Sequence, residues 1–107
     1  MAGSNPTSKE YRAPETLGLE TRDRVRKDAI KLLDSMPEGA GRLVIDLSST
    51  SSVDSAGLGA LMLIQRHAAE RRQSVSLSHA SDEVRFLLML TKLDEVFEMD
   101  GLNTSTT

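Results

Sequence analysis

The fold is decided by the stretch Val53-Asp54-Ser55-Ala56-Gly57-Leu58-Gly59-Ala60-Leu61. It follows an apolar run, Leu43-Val44-Ile45-Asp46-Leu47, and a loop rich in serine and threonine. A helical pattern of apolar and charged residues comes next and extends to Arg71. This order predicts a strand, a loop and a helix that begins at Asp54 and Ser55. Because the first turn of a helix leaves backbone N–H groups unpaired and carries the positive end of the dipole, a serine there can carry a phosphate group.

Length and composition limit the classes of function. A chain of 107 residues predicts one domain with one modest core. Its 13 basic and 16 acidic residues give a net charge of −3, which does not fit a nucleic-acid-binding protein. The absence of cysteine excludes disulfides, thiolate metal sites and a cysteine nucleophile. With no signal-peptide pattern and no apolar run near the roughly 18 residues of a membrane span, we expect a soluble, cytoplasmic protein without membrane insertion.

Hydrophobic periodicity predicts that helices and strands alternate along the chain, which is typical of an α/β fold with at least two parallel strands. The predicted elements are a helix over 20–36, a strand over 42–47 buried on both faces, a helix over 55–71, a strand over 74–78 with one solvent-facing side, a helix capped by Ser81, and a short closing element around 93–97. We expect residues 15–100 to form the domain, residues 1–14 to be a mobile tail, and residues 101–107 to be a second mobile tail.

The helix over 55–71 is predicted to have two different faces. At about 100° per residue, one face carries the core contacts Gly57, Ala60, Leu61, Ile64 and Ala68. The opposite face carries Ser55, Leu58, Gly59, Met62 and Arg66. Its apolar residues either pack beneath the loop over 48–52 or form a docking surface for a partner. Gly59 would allow a partner's backbone to approach closely.

Asp54 also has a purely structural interpretation. Aspartate is among the best N-cap residues because its carboxylate accepts hydrogen bonds from the N–H groups of the first helical turn. On that interpretation Asp54 caps the helix and Ser55 is simply its first residue.

Several motifs together resemble the STAS domain family, which includes anti-sigma factor antagonists and domains of sulfate transporters. The resemblance covers about residues 15–99 and is carried by short motifs in the family's order and spacing. They are Asp46-Leu47-Ser48, the stretch over 53–61, Ser81-Asp82-Glu83-Val84-Arg85-Phe86-Leu87-Leu88 and Leu93-Asp94-Glu95-Val96-Phe97. The resemblance implies a STAS-like fold, in which a small mixed β-sheet packs against three to four α-helices.

The resemblance also implies a function. In bacterial antagonists of this family, an anti-sigma factor with serine-kinase activity phosphorylates the serine after the aspartate, and a PP2C-type phosphatase removes the phosphate. Ser55 is then the phosphoacceptor of a protein-binding module that is not an enzyme and needs no cofactor. The partner-binding residues implied for the unphosphorylated state are Asp54, Ser55, Leu58, Gly59, Met62 and Arg66.

The chain departs from the family pattern in two places. Family members usually begin with a β-hairpin, and here only residues around 10–17 could supply a strand. We therefore expect a shortened hairpin and a sheet edge that is covered only in part. The result is either a weak twofold dimer through that edge or a monomer whose edge is capped by the N-terminal segment. The loop before Asp54 also adds rival phosphorylation targets, namely Ser49, Thr50, Ser51 and Ser52.

Two other functions stay open at this stage. Some small STAS proteins bind the ATPase of an ABC-type lipid transporter through the same helix, without phosphorylation and often with threonine at the position of Ser55. Others are components of sensory scaffolds. An enzyme is less compatible with the sequence, because His67 and His79 lack metal-ligand spacing and no nucleophile motif surrounds Ser55. We expect no catalytic residue and no metal ligand.

Overall fold

A parallel β-sheet lies at the centre of the computed structural model, which describes residues 7–100. The elements, in chain order, are β1 (Ser8–Arg12), β2 (Thr16–Leu17), α1 (Arg22–Asp34), β3 (Arg42–Asp46), β4 (Ser52–Val53), α2 (Ser55–Glu70), β5 (Ser74–Ser78), α3 (Asp82–Leu90), a 3₁₀ turn (Leu93–Glu95) and β6 (Glu98–Asp100). The predicted α/β fold is confirmed, and Ser81 caps α3 by accepting a hydrogen bond from the Val84 N–H at 3.2 Å.

The strands form two sheets. Four of them lie in the order β1-β3-β5-β6, and β2 pairs with β4 in a separate two-stranded sheet. Every strand pair within residues 7–100 is parallel, whereas a mixed sheet was expected. Parallel neighbours need long crossover connections, and α1, α2 and α3 supply them between successive strands of the larger sheet.

The N-terminal segment differs most from its prediction. Residues Ser8–Arg12, expected in a mobile tail, form β1 and pair with all five residues of β3. The domain therefore begins by Ser8 at the latest, and no β1–β2 hairpin forms, because β2 pairs with β4. The sheet edge that the N-terminal segment was expected to cover only in part is covered along the whole of β3, so the outward edge belongs to β1. Weak self-association stays a prediction for light scattering to test, and the predicted tails over 1–6 and 101–107 lie outside the described residues.

The core lies between the larger sheet and the helices, and residues of α3 and of the closing segment belong to the same buried cluster as those of α1 and α2. The sheet contributes Leu43, Ile45, Val75 and Leu77, which are all buried. The buried residues of α2 are the ones that periodicity predicts, namely Gly57, Ala60, Leu61, Ile64 and Ala68. At their C-terminal ends the two helices are joined by Asp34, whose Oδ1 lies 2.7 Å from His67 Nε2 and 3.5 Å from Arg71 Nε.

The other face of β5 was expected to face solvent, and this expectation is wrong. Ser76 is 0% exposed and Ser78 only 4%. The strand register explains the burial, because Ser76 lies between Val44 on β3 and Glu98 on β6. Arg42 Nη2 reaches Glu98 Oε1 at 3.4 Å, so this ion pair crosses over the intervening β5. Short serine side chains are thus covered by the longer side chains of the neighbouring strands.

None of the helices within residues 7–100 is both long and apolar enough to cross a bilayer.

Candidate functional site

The beginning of α2 is held by the carboxylate of Asp54. Its Oδ1 accepts a hydrogen bond from the Gly57 N–H at 3.0 Å, which makes Asp54 the N-cap of α2. Its Oδ2 accepts a second hydrogen bond from the Leu19 N–H at 3.2 Å. The Asp54 N–H in turn donates to the Leu17 carbonyl at 3.2 Å. One residue therefore joins the loop after β2 to the first turn of α2.

Two glycines allow this close approach. A Cβ atom at Gly57 would lie 2.0 Å from the Leu17 carbonyl oxygen, and one at Gly18 would lie 2.5 Å from Asp54 Oδ2. We call the junction between the loop after β2 and the first turn of α2 the corner. Neither glycine position has room for a side chain unless the corner changes its shape. The corner that presents Ser55 is therefore fixed by a backbone contact at Gly57 and by the Asp54 side chain at Gly18.

The hydrogen bonds also affect the charge of Asp54. The N–H groups of Gly57 and Leu19, in that order, lower the pKa of the Asp54 carboxyl below its usual range, and the positive charge of Arg22 adds to the effect. Both carboxylate oxygens accept hydrogen bonds from within the domain. Of the predicted partner-binding residues, Asp54 is thus the one whose side chain is already engaged in holding the corner.

Ser55 is the first residue of α2 and is exposed. One of its rivals in the preceding loop is not accessible. Thr50 is only 3% exposed, and its hydroxyl donates a hydrogen bond to the Pro14 carbonyl at 2.8 Å. Ser49, Ser51 and Ser52 are exposed and stay candidates.

A first groove lies between α2 and the segment that follows α3. It has a volume of about 630 Å³, and we call it the closing groove. Its lining residues are Ser55, Leu58, Gly59, Met62, Thr91, Lys92, Leu93, Glu95 and Val96. Leu58, expected to point outward, is half-buried and packs against the core, whereas Met62 is 53% exposed.

A second groove lies between α1 and α2. It has a volume of about 750 Å³, and we call it the arginine groove. Its lining residues are Arg22, Asp23, Arg26, Ser55, Ala56, Gly59, Ala60, Met62, Leu63 and Arg66. Ser55, Gly59 and Met62 line both grooves and so form the ridge between them. An added Cβ at Gly59 would meet no atom within 4 Å, which shows that this part of the ridge is open.

The predicted partner-binding residues therefore do not form one flat patch. Leu58 lies in the closing groove, Arg66 lies in the arginine groove, and the ridge separates them. Sequence reasoning missed Arg22 and Arg26, which bring positive charge to the site from α1. Their spacing of four residues places them on one helix face, and this signal could have identified them.

A further exposed surface was also missed. Phe86, Met89 and Leu90 form a stripe on α3, and these residues are 59%, 58% and 64% exposed. The apolar periodicity of this helix indicates its core-facing side and does not reveal this stripe. Within residues 7–100, no group of three or more potential metal ligands occurs.

Comparison with known proteins identifies the family. Residues 17–101 match the family model described as "Mlab, STAS domain". A STAS-domain containing protein of Pseudomonas aeruginosa is 34% identical over 58 residues, which cover 54% of this chain and 57% of that protein. The chain thus spans just over half the length of this curated relative. It belongs to the STAS domain family.

Solved structures share the fold. A sulfate transporter family protein of Wolinella succinogenes has a TM-score of 0.74 at 18% identity, with 90% of this chain and 79% of that chain covered. A candidate anti-sigma factor antagonist of Thermotoga maritima has a TM-score of 0.69 at 24% identity, with 81% and 74% covered. The unphosphorylated anti-sigma factor antagonist SpoIIAA has a TM-score of 0.62 at 11% identity, with 97% and 86% covered. At these identities the likeness shows the fold alone, and it confirms the predicted STAS-like architecture.

Proposed function

We propose that this STAS domain is an anti-sigma factor antagonist, a protein-binding module without chemistry of its own that is switched by phosphorylation of Ser55. The observation that carries the proposal is the position of Ser55. It is an exposed serine on the ridge between two grooves, at a helix start that is fixed by Asp54. The fold shared with SpoIIAA supports the same class of function.

In the unphosphorylated state the domain docks α2 on the anti-sigma factor and thereby releases the sigma factor. Met62 and Leu58 offer apolar contacts, and Gly59 lets the partner's backbone approach. The same anti-sigma factor also acts as the kinase that modifies Ser55 and so ends docking. Its base takes the hydroxyl proton of Ser55, the serine oxygen bonds to the γ-phosphorus of ATP, and ADP leaves. A PP2C-type phosphatase hydrolyses the phosphoserine. Such a switch acts in the cytoplasm, where ATP and the sigma factor are present.

The added phosphate opposes docking for a physical reason. It carries about 1.5 to 2 negative charges at neutral pH. The first turn of α2 tolerates this charge within the free protein. Docking would bury the dianion between the two grooves and beside the charged Asp54, and burying an unpaired charge is costly. The phosphorylated domain therefore folds normally and binds its partner weakly.

The experiment is phosphorylation in vitro by a candidate anti-sigma factor with serine-kinase activity. After incubation with that kinase and ATP, we expect one added phosphate group, located on Ser55 by peptide mass spectrometry. Ser55→Ala should stay unmodified, and the matched control Ser52→Ala should be modified like the wild type. Phosphate on Ser49, Ser51 or Ser52 alone would refute the assignment.

The likeness to sulfate transporter proteins shows that this fold also occurs in transport proteins. A second candidate function is therefore a subunit that binds the ATPase of an ABC-type lipid transporter through α2. Such a subunit would bind the ATPase through the grooves, and binding would not depend on phosphorylation of Ser55. Genes for transporter subunits beside this one, together with a stable complex between this protein and their ATPase in the absence of any phosphorylation, would support it over the first.

A further inference from the structure

The arginine groove has a charge opposite to that of the whole chain. Arg22, Arg26 and Arg66 line it, with Asp23 as the single carboxylate among the lining residues. Asp23 Oδ1 lies 3.7 Å from Arg26 Nη2 and 4.0 Å from Arg22 Nε, so one acid is shared by two guanidinium groups. The groove is therefore positive, although the protein carries a net charge of −3.

The side of the same groove that α2 forms, including part of the ridge, is apolar and open. Met62 is 53% exposed and Leu63 is 46% exposed. Gly59 lies beside them, and an added Cβ there would meet no atom within 4 Å. Large apolar side chains next to an open glycine form a depression that an apolar side chain of a partner can fill.

The length of the groove indicates what shape fits it. Arg66 lies eleven residues after Ser55 on α2, which corresponds to about 16 Å at 1.5 Å per residue. On α1, Arg22 and Arg26 are one helical turn apart. The charge of Arg22 acts on Asp54 at the beginning of α2, and Arg66 lies about three turns further along that helix. Positive charge thus lies at both ends of the groove, with apolar side chains of α2 between them.

We infer that the arginine groove docks an amphipathic helix of the partner protein, with an apolar stripe flanked by aspartate and glutamate. The inference rests on the proposed function in taking α2 as the docking helix, and it adds the chemistry of the docked segment. Carboxylates pair with guanidinium groups in bidentate geometry, and opposite charge speeds association and fixes orientation. A purely apolar segment would instead desolvate the arginines without giving them partners. No aromatic side chain lines the groove, so it offers no platform for stacked bases.

This arrangement gives Ser55 a second way to regulate binding. Ser55 lines the arginine groove, so a phosphate on its hydroxyl would add negative charge at the end that Arg22 occupies. The phosphate and the acidic helix would then compete for the same positive groove.

The test uses two synthetic helical peptides of about 18 residues, long enough to be partly helical. Both carry the same leucine stripe, flanked by glutamate in one and by lysine in the other, and both are titrated into the full-length, ¹⁵N-labelled protein. The acidic peptide should bind at least about tenfold more tightly, and its binding should weaken with salt. The amide signals of Arg22, Arg26, Gly59 and Leu63 should shift most.

Matched variants test whether the arginine groove causes the preference for the acidic peptide. Charge reversal by Arg22→Glu with Arg66→Glu should make the lysine peptide the better ligand. Reversal by Arg24→Glu with Lys27→Glu, at exposed α1 positions outside the groove, should leave the preference unchanged. Equal affinity for both peptides, or shifts centred on Phe86 and Met89 of α3, would overturn the inference. The assay contains no kinase and no phosphate, so its failure is distinct from a failure of the Ser55 proposal.

Discussion

Gly57 and Gly59 lie two positions apart on α2 and show how the two sides of this helix differ. A Cβ at Gly57 would lie 2.0 Å from the Leu17 carbonyl oxygen, whereas one at Gly59 would meet nothing within 4 Å. The first glycine lets α2 pack against β2, and the second leaves the ridge between the two grooves open. The closed side of α2 therefore determines whether the domain folds, and the open side is the part that a partner can reach.

The largest expected difference between the two sides concerns a buried charge. Leu61 is 1% exposed and Met62 is 53% exposed. Leu61→Lys places an unpaired ammonium in the core and should cost about 3–5 kcal/mol, a large share of the roughly 5–15 kcal/mol that stabilises a folded domain. Met62→Lys should change the free energy of unfolding by less than about 0.5 kcal/mol while weakening partner binding. Urea unfolding measures both, and equal losses of stability would contradict the division of α2 into two sides.

Substitution of the two glycines should give the next largest difference in stability. Gly57→Ala forces the corner at Leu17 to shift and should cost about 1–3 kcal/mol. Gly59→Ala has space for its methyl group and a better helix propensity, so it should leave stability unchanged or raise it by up to about 1 kcal/mol. Thermal unfolding followed by circular dichroism compares the two variants. A Gly59→Ala protein as unstable as Gly57→Ala would show that the ridge is not open.

Low pH should weaken the hydrogen bonds that Asp54 accepts at the corner, and the resulting loss of stability should be smaller than in the two previous cases. The folded-state pKa of Asp54 is lowered, so its stabilisation is present above the unfolded-state pKa of about 4 and is lost as the pH falls through the folded-state value. Asp54→Asn should be less stable at neutral pH and should lose less stability between pH 5 and pH 2, values that span the carboxyl titration. An unchanged slope of stability against pH would contradict the role of the carboxylate.

Some acid dependence should persist in that variant because of Asp46. Burial raises the pKa of Asp46, but the hydrogen bond from the Ser48 N–H and the nearby charges of His79 and Arg12 outweigh burial, and the net shift is downward. Its stabilisation is lost in the same direction as the pH falls.

The sequence predicted those parts of the fold that depend on local pattern. The α2 pattern placed all five buried residues correctly because a single helix with one apolar face has one way to pack. The Asp54 and Ser81 caps are likewise local hydrogen bonds between neighbours in the chain. The family motifs then identified the STAS domain, because several short segments occur in the order and spacing of that family.

The errors have a different physical origin. Ser8–Arg12 has no clear alternation of apolar and polar residues, so nothing local showed that it would pair along the whole of β3. The burial of Ser76 depends on β3 and β6, the strands that lie on either side of it. The arginine groove likewise needs α1 and α2 side by side before its charges come together. Each of these features is set by tertiary contacts rather than by the local pattern.

The most direct test of the central claim is the affinity of this protein for the anti-sigma factor that it is proposed to bind, measured with and without phosphate on Ser55. Phosphoserine is installed at position 55 during synthesis, and isothermal titration calorimetry compares it with the unmodified protein, with Ser55→Ala as the control. The unmodified and Ser55→Ala proteins should bind alike, and the phosphorylated protein should bind at least about tenfold more weakly while melting at the same temperature. Equal affinity of the phosphorylated and unmodified proteins would contradict the claim that Ser55 controls docking on the open side of α2.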